Sequence, residues 1–80
     1  MDSQRDSRNA LGAAVEALRL RTGLTQEDLA ARANLDADLI ARVEAGEADP
    51  TWGDARRIAA ALGTSVDRLA ALAEELEDEA

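Results

Sequence analysis

Cysteine and histidine are both absent from the 80 residues, which removes disulfides, thiolate nucleophiles, imidazole bases and the usual zinc ligands together. Catalysis, a metal site and a cofactor are therefore not expected, and no effector pocket can be read. Lysine, phenylalanine and tyrosine are missing as well; Trp52 is the single aromatic residue and Pro50 the single proline. No apolar run approaches the ~20 residues of a membrane span. The first residues, Met1-Asp2-Ser3-Gln4-Arg5, lack the apolar stretch of a secretory signal, so the expected compartment is the cytoplasm and no membrane partner is expected. A chain this short is one small domain. Its apolar side chains are mostly alanine and leucine, so the core must be small and leucine-based.

The formal charge of −8 looks wrong for a nucleic-acid binder, but the excess is unevenly placed. Residues 1–9 carry two acids and two arginines, residues 10–70 ten acids and seven arginines, and residues 71–80 five acids and no base. The net values are 0, −3 and −5, so most of the excess sits at the C-terminal end. Glu74, Glu75, Glu77, Asp78 and Glu79 read most simply as a solvated helix end. The rival reading is an acidic appendage that competes with nucleic acid for the domain's arginines or meets a basic partner.

Alanine and leucine dominate, β-branched residues are scarce, and apolar positions recur at three and four, so every long segment reads as helix. Leu11, Ala14, Val15 and Leu18 form the first stripe, with Asp6 or Ser7 as possible caps and Gly23 as the stop. Thr25 caps a second helix, and Asp28 stands three residues on in the reciprocal position of a capping box. Leu29, Ala30 and Ala33 are its inner face, and Asn34 tolerates the positive φ of a tight turn. Asp36 then caps a third helix with Leu39, Ile40 and Val43 inward, until Gly46. After the loop Glu47-Ala48-Asp49-Pro50, Thr51 and Asp54 open a fourth helix that Gly63 closes, and Ser65 opens a fifth. The expected architecture is all-α and compact, with helices at 7–22, 25–33, 36–45, 51–62 and 65–77. Leu18, Leu29, Ile40, Val43, Ile58, Leu62 and Leu69 should be buried together. The chain divides into an N-terminal arm at 1–9, partly disordered, a domain at 10–72, and an acidic helix end at 73–80.

Read in order, Thr25-Gln26-Glu27-Asp28-Leu29-Ala30, then Ala33-Asn34-Leu35, Ile40, Val43-Glu44-Ala45-Gly46, Pro50-Thr51 and Ala61-Leu62-Gly63-Thr64-Ser65 resemble the Cro and phage-repressor family of helix-turn-helix proteins. The likeness covers residues 11 to about 72. It implies a lambda-repressor-like five-helix domain in which the second helix crosses the DNA backbone and the third enters the major groove. It further implies double-stranded DNA as partner, base contacts from the positions of Ala37, Asp38, Ala41 and Arg42, and a phosphate contact from Gln26. Arg19 and Glu44 match a pair that in some members braces the first helix against the third.

The residues themselves weigh on those expectations. Ala37 and Ala41 can at most touch a thymine methyl, so the reader is essentially Arg42, whose guanidinium can fork onto guanine O6 and N7; the plainer reading is a surface arginine. Backbone N–H groups at a helix start attract anions without a basic side chain, which makes Thr25 and Gln26 phosphate-contact candidates. Arg21 is another, although it also suits a helix C-terminus. Against DNA stand Asp36, Asp38, Glu47 and Asp49, four carboxylates on the surface that would meet phosphate. Asp36 and Asp38 make no calcium loop, since no third ligand and glycine follow.

Trp52 is either a lid over the small core or an exposed anchor. With Leu72 and Leu76 it is a candidate for a homodimer contact, which would favour a palindromic operator. Two functions compete: a sequence-specific DNA-binding transcriptional regulator, and a helix-turn-helix scaffold for protein contact, an adaptor or antitoxin-like partner, with weak or lost DNA binding.

Overall fold

The computed structural model describes the backbone of residues 3–79 and the side chains of residues 10–78. Within them lie five helices and no strand: α1 Ser3–Arg21, α2 Gln26–Ala33, α3 Ala37–Glu44, α4 Trp52–Ala61 and α5 Val66–Glu79. α1 starts four residues before the expected boundary, so Asp6 and Ser7 lie inside it, not at its cap. The helix thus runs through most of the segment read as an arm, of which residues 1 and 2 fall outside the described chain.

The helix ends are dictated locally. Gly23, Gly46 and Gly63 take positive φ, and among the described residues Asn34 is the one non-glycine that does so, at 58°. After each of these four, the next N–H reaches back into the last helical turn: Leu24 to the Arg19 carbonyl, Leu35 to Ala30, Glu47 to Arg42 and Thr64 to Ala59, at 2.8–3.1 Å. The final carbonyls are thereby satisfied in a left-handed reversal that few side chains tolerate. At the starts, Thr25 Oγ1 accepts from the Asp28 N–H at 3.0 Å, and the Thr25 N–H donates back to Asp28 Oδ2 at 3.1 Å. Thr51 and Ser65 cap α4 and α5 by the first half of that exchange. Asp36 occupies the cap position of α3 but makes no side-chain cap bond.

The core gathers Leu29, Ile40, Val43, Ile58, Leu62 and Leu69, as the apolar spacing requires. Leu18 differs, being half-buried at the edge of the core. α1 instead buries three small residues, Ala10, Gly12 and Ala14, with Val15 and, near its end, Arg19. The reason is a close crossing: a Cβ on Gly12 would run into the Val43 carbonyl oxygen and stand 2.7 Å from that of Glu44. Backbone meets backbone there, so the contact centre lies on small residues and the larger leucines are pushed to the flank. α5 packs mainly along α1, while α4 sits against α2.

Asp28 makes the α2 start sensitive to acid. The Thr25 N–H first, and its hydroxyl second, hold the Asp28 carboxyl below the ordinary carboxylate value. A carboxylate depressed in the folded state adds stability above its unfolded pKa of ~3.9, and that contribution disappears as pH falls through the lower folded value. Thermal melts of wild type and Asp28→Asn between neutral pH and about pH 2 should therefore converge in acid. Parallel curves would show that the box does not stabilise the ionised form.

Candidate nucleic-acid interface

Arg19 is the one charged residue buried as a whole among the described residues, with 8% of its surface exposed, and the Glu44 side chain beside it is 3% exposed. Its Nε donates to Glu44 Oε2 at 2.7 Å and its Nη2 to Glu44 Oε1 at 3.0 Å, a forked pair between the last turn of α1 and the end of α3. The remaining Nη1 donates to the Leu24 carbonyl at 2.9 Å, just beyond the Gly23 reversal. Three separate segments thus converge on one guanidinium. The hydrogen bond to Glu44 holds Arg19 above its already high pKa against the opposing effect of burial, so the guanidinium keeps its charge in this position.

Glu44 carries a further partner that sequence reasoning missed. Gln26 Nε2 donates to Glu44 Oε1 at 3.0 Å, tying the first turn of α2 to the end of α3. With its amide nitrogen committed inward, the Gln26 side chain is oriented, and the first turn of α2 keeps a fixed angle to α3. No spacing in the chain signals this bond, because residues 18 apart meet only through the turn at Asn34.

On α3, Ile40 and Val43 are buried, which turns Asp38, Arg42 and Ala45 to solvent and leaves Ala37 and Ala41 half-exposed. All four base-contact candidates therefore share one accessible side of the helix. Asp38 Oδ2 and Arg42 Nη1 are 4.0 Å apart, with side-chain exposures of 83% and 53%. Such an i,i+4 pair stabilises by only ~0.3–0.5 kcal/mol, so Arg42 gives it up at little cost when a better acceptor is offered. The four-residue spacing of Asp38 and Arg42 was a legible signal for that pair. Asp36, Glu47 and Asp49 are exposed around the same helix. Arg21 is exposed at the end of α1, and Thr25, with its hydroxyl used by the cap, stands next to Gln26.

The three apolar contact candidates do not form one patch. Trp52 is no lid: it is 67% exposed, because the first residue of α4 precedes the turn whose Ile58 and Ala59 enter the core. It borders a shallow groove that ends at Val66 and Asp67 in the first turn of α5. Leu72 and Leu76 are half-buried against the chain's own core, and Leu76 lies ten residues beyond Val66, about 15 Å along the helix.

Two short helices held across a left-handed turn, with the first turn of one and the open side of the other locked by a buried pair, define a helix-turn-helix protein of the Cro and phage-repressor type. The chain belongs to the helix-turn-helix family, matching the family described as "Helix-turn-helix domain" over residues 10–72. Similar solved structures include the following two. The clp gene regulator ClgR from Corynebacterium glutamicum is 26% identical with a TM-score of 0.86, over 90% of this chain and 77% of that one. The restriction-modification controller protein C.AhdI from Aeromonas hydrophila is 29% identical with a TM-score of 0.76, over 78% of this chain and 94% of that one. No curated protein matches the sequence. Among the described residues, no helix is long and apolar enough to cross a membrane.

Proposed function

We propose that the protein is a transcriptional regulator that binds a specific duplex site in the cytoplasm through α3, as a homodimer on a palindromic operator, without enzymatic activity or cofactor. The observation that carries the reading is the Arg19–Glu44–Gln26 network. It fixes the α2 start, a place suited to a phosphate, relative to the exposed side of α3, and such fixed geometry is what reading base edges needs. Gln26, Thr25 and Arg21 are the phosphate contacts and Arg42 the guanine reader, with Ala37, Asp38 and Ala41 lining the same groove. ClgR is a gene regulator and C.AhdI a controller protein, and their likeness supports the same assignment here. The exposed Asp36, Asp38, Glu47 and Asp49 favour the second reading, a scaffold for protein contact.

Fluorescence anisotropy against a duplex selected from random DNA and a scrambled duplex, over a salt series, separates the two. Arg42→Ala should weaken the selected site by ~1–3 kcal/mol and relax one base position. Asp49→Lys should tighten both duplexes alike and steepen the log–log salt slope by about one. If neither wild type nor Asp49→Lys binds either duplex at low salt, the scaffold reading replaces this one. For the homodimer, sedimentation equilibrium of the whole chain should give twice the monomer mass, and a monomer at high micromolar concentration removes it.

A further inference from the structure

Seven arginines lie among residues 10–78, and only Arg19 and Arg42 have a described carboxylate within 4.0 Å. Three of the others come together. Arg32 at the end of α2 and Arg57 of α4 line one depression with Asn34 and Ala60. Arg56 and Arg57 line the next, over Gly53 and Ala60, and Arg56 continues beside Trp52 to the α5 start. The residues recur every three or four positions, so they share one exposed side of α4. The result is a strip with arginines at its edges, a floor of glycine and alanine, and the only aromatic ring at one end. Its lining holds one carboxylate, Asp67.

The Arg32 end of the strip lies away from the proposed phosphate site. Arg32 lies six residues beyond Gln26, about 9 Å along α2, at the opposite end from the proposed phosphate site. A shallow cationic strip with an exposed indole suits an acidic segment that brings some apolar surface, and this chain carries one. Glu74, Glu75, Glu77 and Asp78 are all exposed, and no base occurs in residues 71–80. The chain's own acidic end cannot reach. α5 meets the strip only at Val66 and Asp67, and Glu77 lies about 16 Å further along a helix that packs on α1.

We propose that the arginine-lined strip along α4 receives the acidic end of α5 from a second copy of this chain, with Trp52 partly covered by the contact. The contact differs from an apolar dimer through Leu72 and Leu76: it is driven by charge, weakens with salt, and is independent of DNA binding.

Trp52 is its own reporter, since no other aromatic residue contributes to the emission. The full chain at ~1 μM in low salt is titrated with a synthetic peptide of residues 71–80. The expected result is a saturable change in Trp52 emission that is lost at about 0.5 M salt, where exposed charges are screened. It should weaken at least tenfold in Arg56→Glu/Arg57→Glu, and in the same direction in Arg56→Gln/Arg57→Gln, with helix content by circular dichroism unchanged. A second peptide with its five carboxylates replaced by glutamine keeps Leu72 and Leu76. If it acts as strongly as the first, the contact is apolar and the proposal is overturned. No emission change with the acidic peptide, or equal binding by the arginine variants, overturns it as well. If Arg56→Glu/Arg57→Glu instead lowers affinity for the scrambled duplex while leaving peptide binding intact, the strip holds phosphate. None of these outcomes bears on recognition of the selected duplex by α3.

Discussion

Glu44→Ala should lower the unfolding free energy by ~3–5 kcal/mol, the scale measured when one partner of a buried ion pair is removed. The loss is large because Glu44 accepts three hydrogen bonds, two from Arg19 and one from Gln26, and a largely buried Arg19 is left charged without its carboxylate. Deprotonation offers no escape, since a guanidinium keeps its proton in proteins. A domain of this size has roughly 4–12 kcal/mol in total, so much of the variant should be unfolded near body temperature. Urea denaturation followed by circular dichroism measures the loss; Trp52, already exposed, is a poor folding probe. The double variant Arg19→Met/Glu44→Leu separates the causes. If the penalty is the uncompensated charge, the double variant should recover most of the stability. A double variant as weak as the sum of the two single ones would place the loss in packing instead. Even where stability recovers, Gln26 has lost its acceptor, so the fixed angle between α2 and α3 should loosen and affinity for the selected duplex should fall.

Gly12→Ala should destabilise the fold by ~2–3 kcal/mol, although alanine is the best helix former and gains ~1 kcal/mol over glycine in an exposed helix interior. The new methyl would collide with the Val43 carbonyl oxygen and crowd that of Glu44. Both obstacles are backbone, so relief requires the whole of α1 to move off α3. Overpacking of this kind costs ~1–3 kcal/mol and occasionally more, here with no flexible side chain to yield. In a domain of this length, each kcal/mol shifts the melting temperature by ~4–8 °C, so a fall of about 10–20 °C is expected. Gly53→Ala is the internal control: nothing lies within 4 Å of its added Cβ, and a helical glycine replaced there should raise stability by up to ~1 kcal/mol. Shifts of opposite sign from the two are therefore the expected result. If Gly12→Ala stabilised as Gly53→Ala does, the close crossing of α1 and α3 would be wrong.

Those two variants mark where sequence reasoning stopped. Asn34, Gly23, Gly46 and Gly63 declared the helix ends, and Thr25 with Asp28 declared a helix start, because a cap or a left-handed reversal is settled within five or six residues of the chain. The buried faces of α2 to α5 were legible for a related reason: Leu29, Ile40, Val43, Ile58 and Leu69 stand at the spacing of one helical face. For α1 the same spacing placed Ala14 and Val15 in the core, but it set Leu18 fully inside, where it is only half-buried. What selects the contact there is how near two backbones approach, and a glycine within a helix announces that only once its neighbour is known.

The candidate site divides along the same line. That α3 would present Ala37, Asp38, Ala41 and Arg42 together followed from the inward turn of Ile40 and Val43, and the Asp38–Arg42 spacing was local. The pair of Arg19 and Glu44 came only through the family resemblance, and the bonds of Arg19 to the Leu24 carbonyl and of Gln26 to Glu44 came from neither. Likewise, Trp52 read first as a lid over the core and otherwise as an anchor, until the orientation of α4 on α2 put it outside. Arg32 and Arg57, 25 positions apart, became neighbours only when that packing formed. By itself, then, the sequence determined which segments are helical, where each stops and which side of each is apolar, because caps, reversals and periodicity act over a single turn or two. Only the tertiary structure decided the α1–α3 crossing at Gly12, the Arg19–Glu44–Gln26 brace and the exposed arginine strip, because each depends on the distance between helices that are remote in the chain.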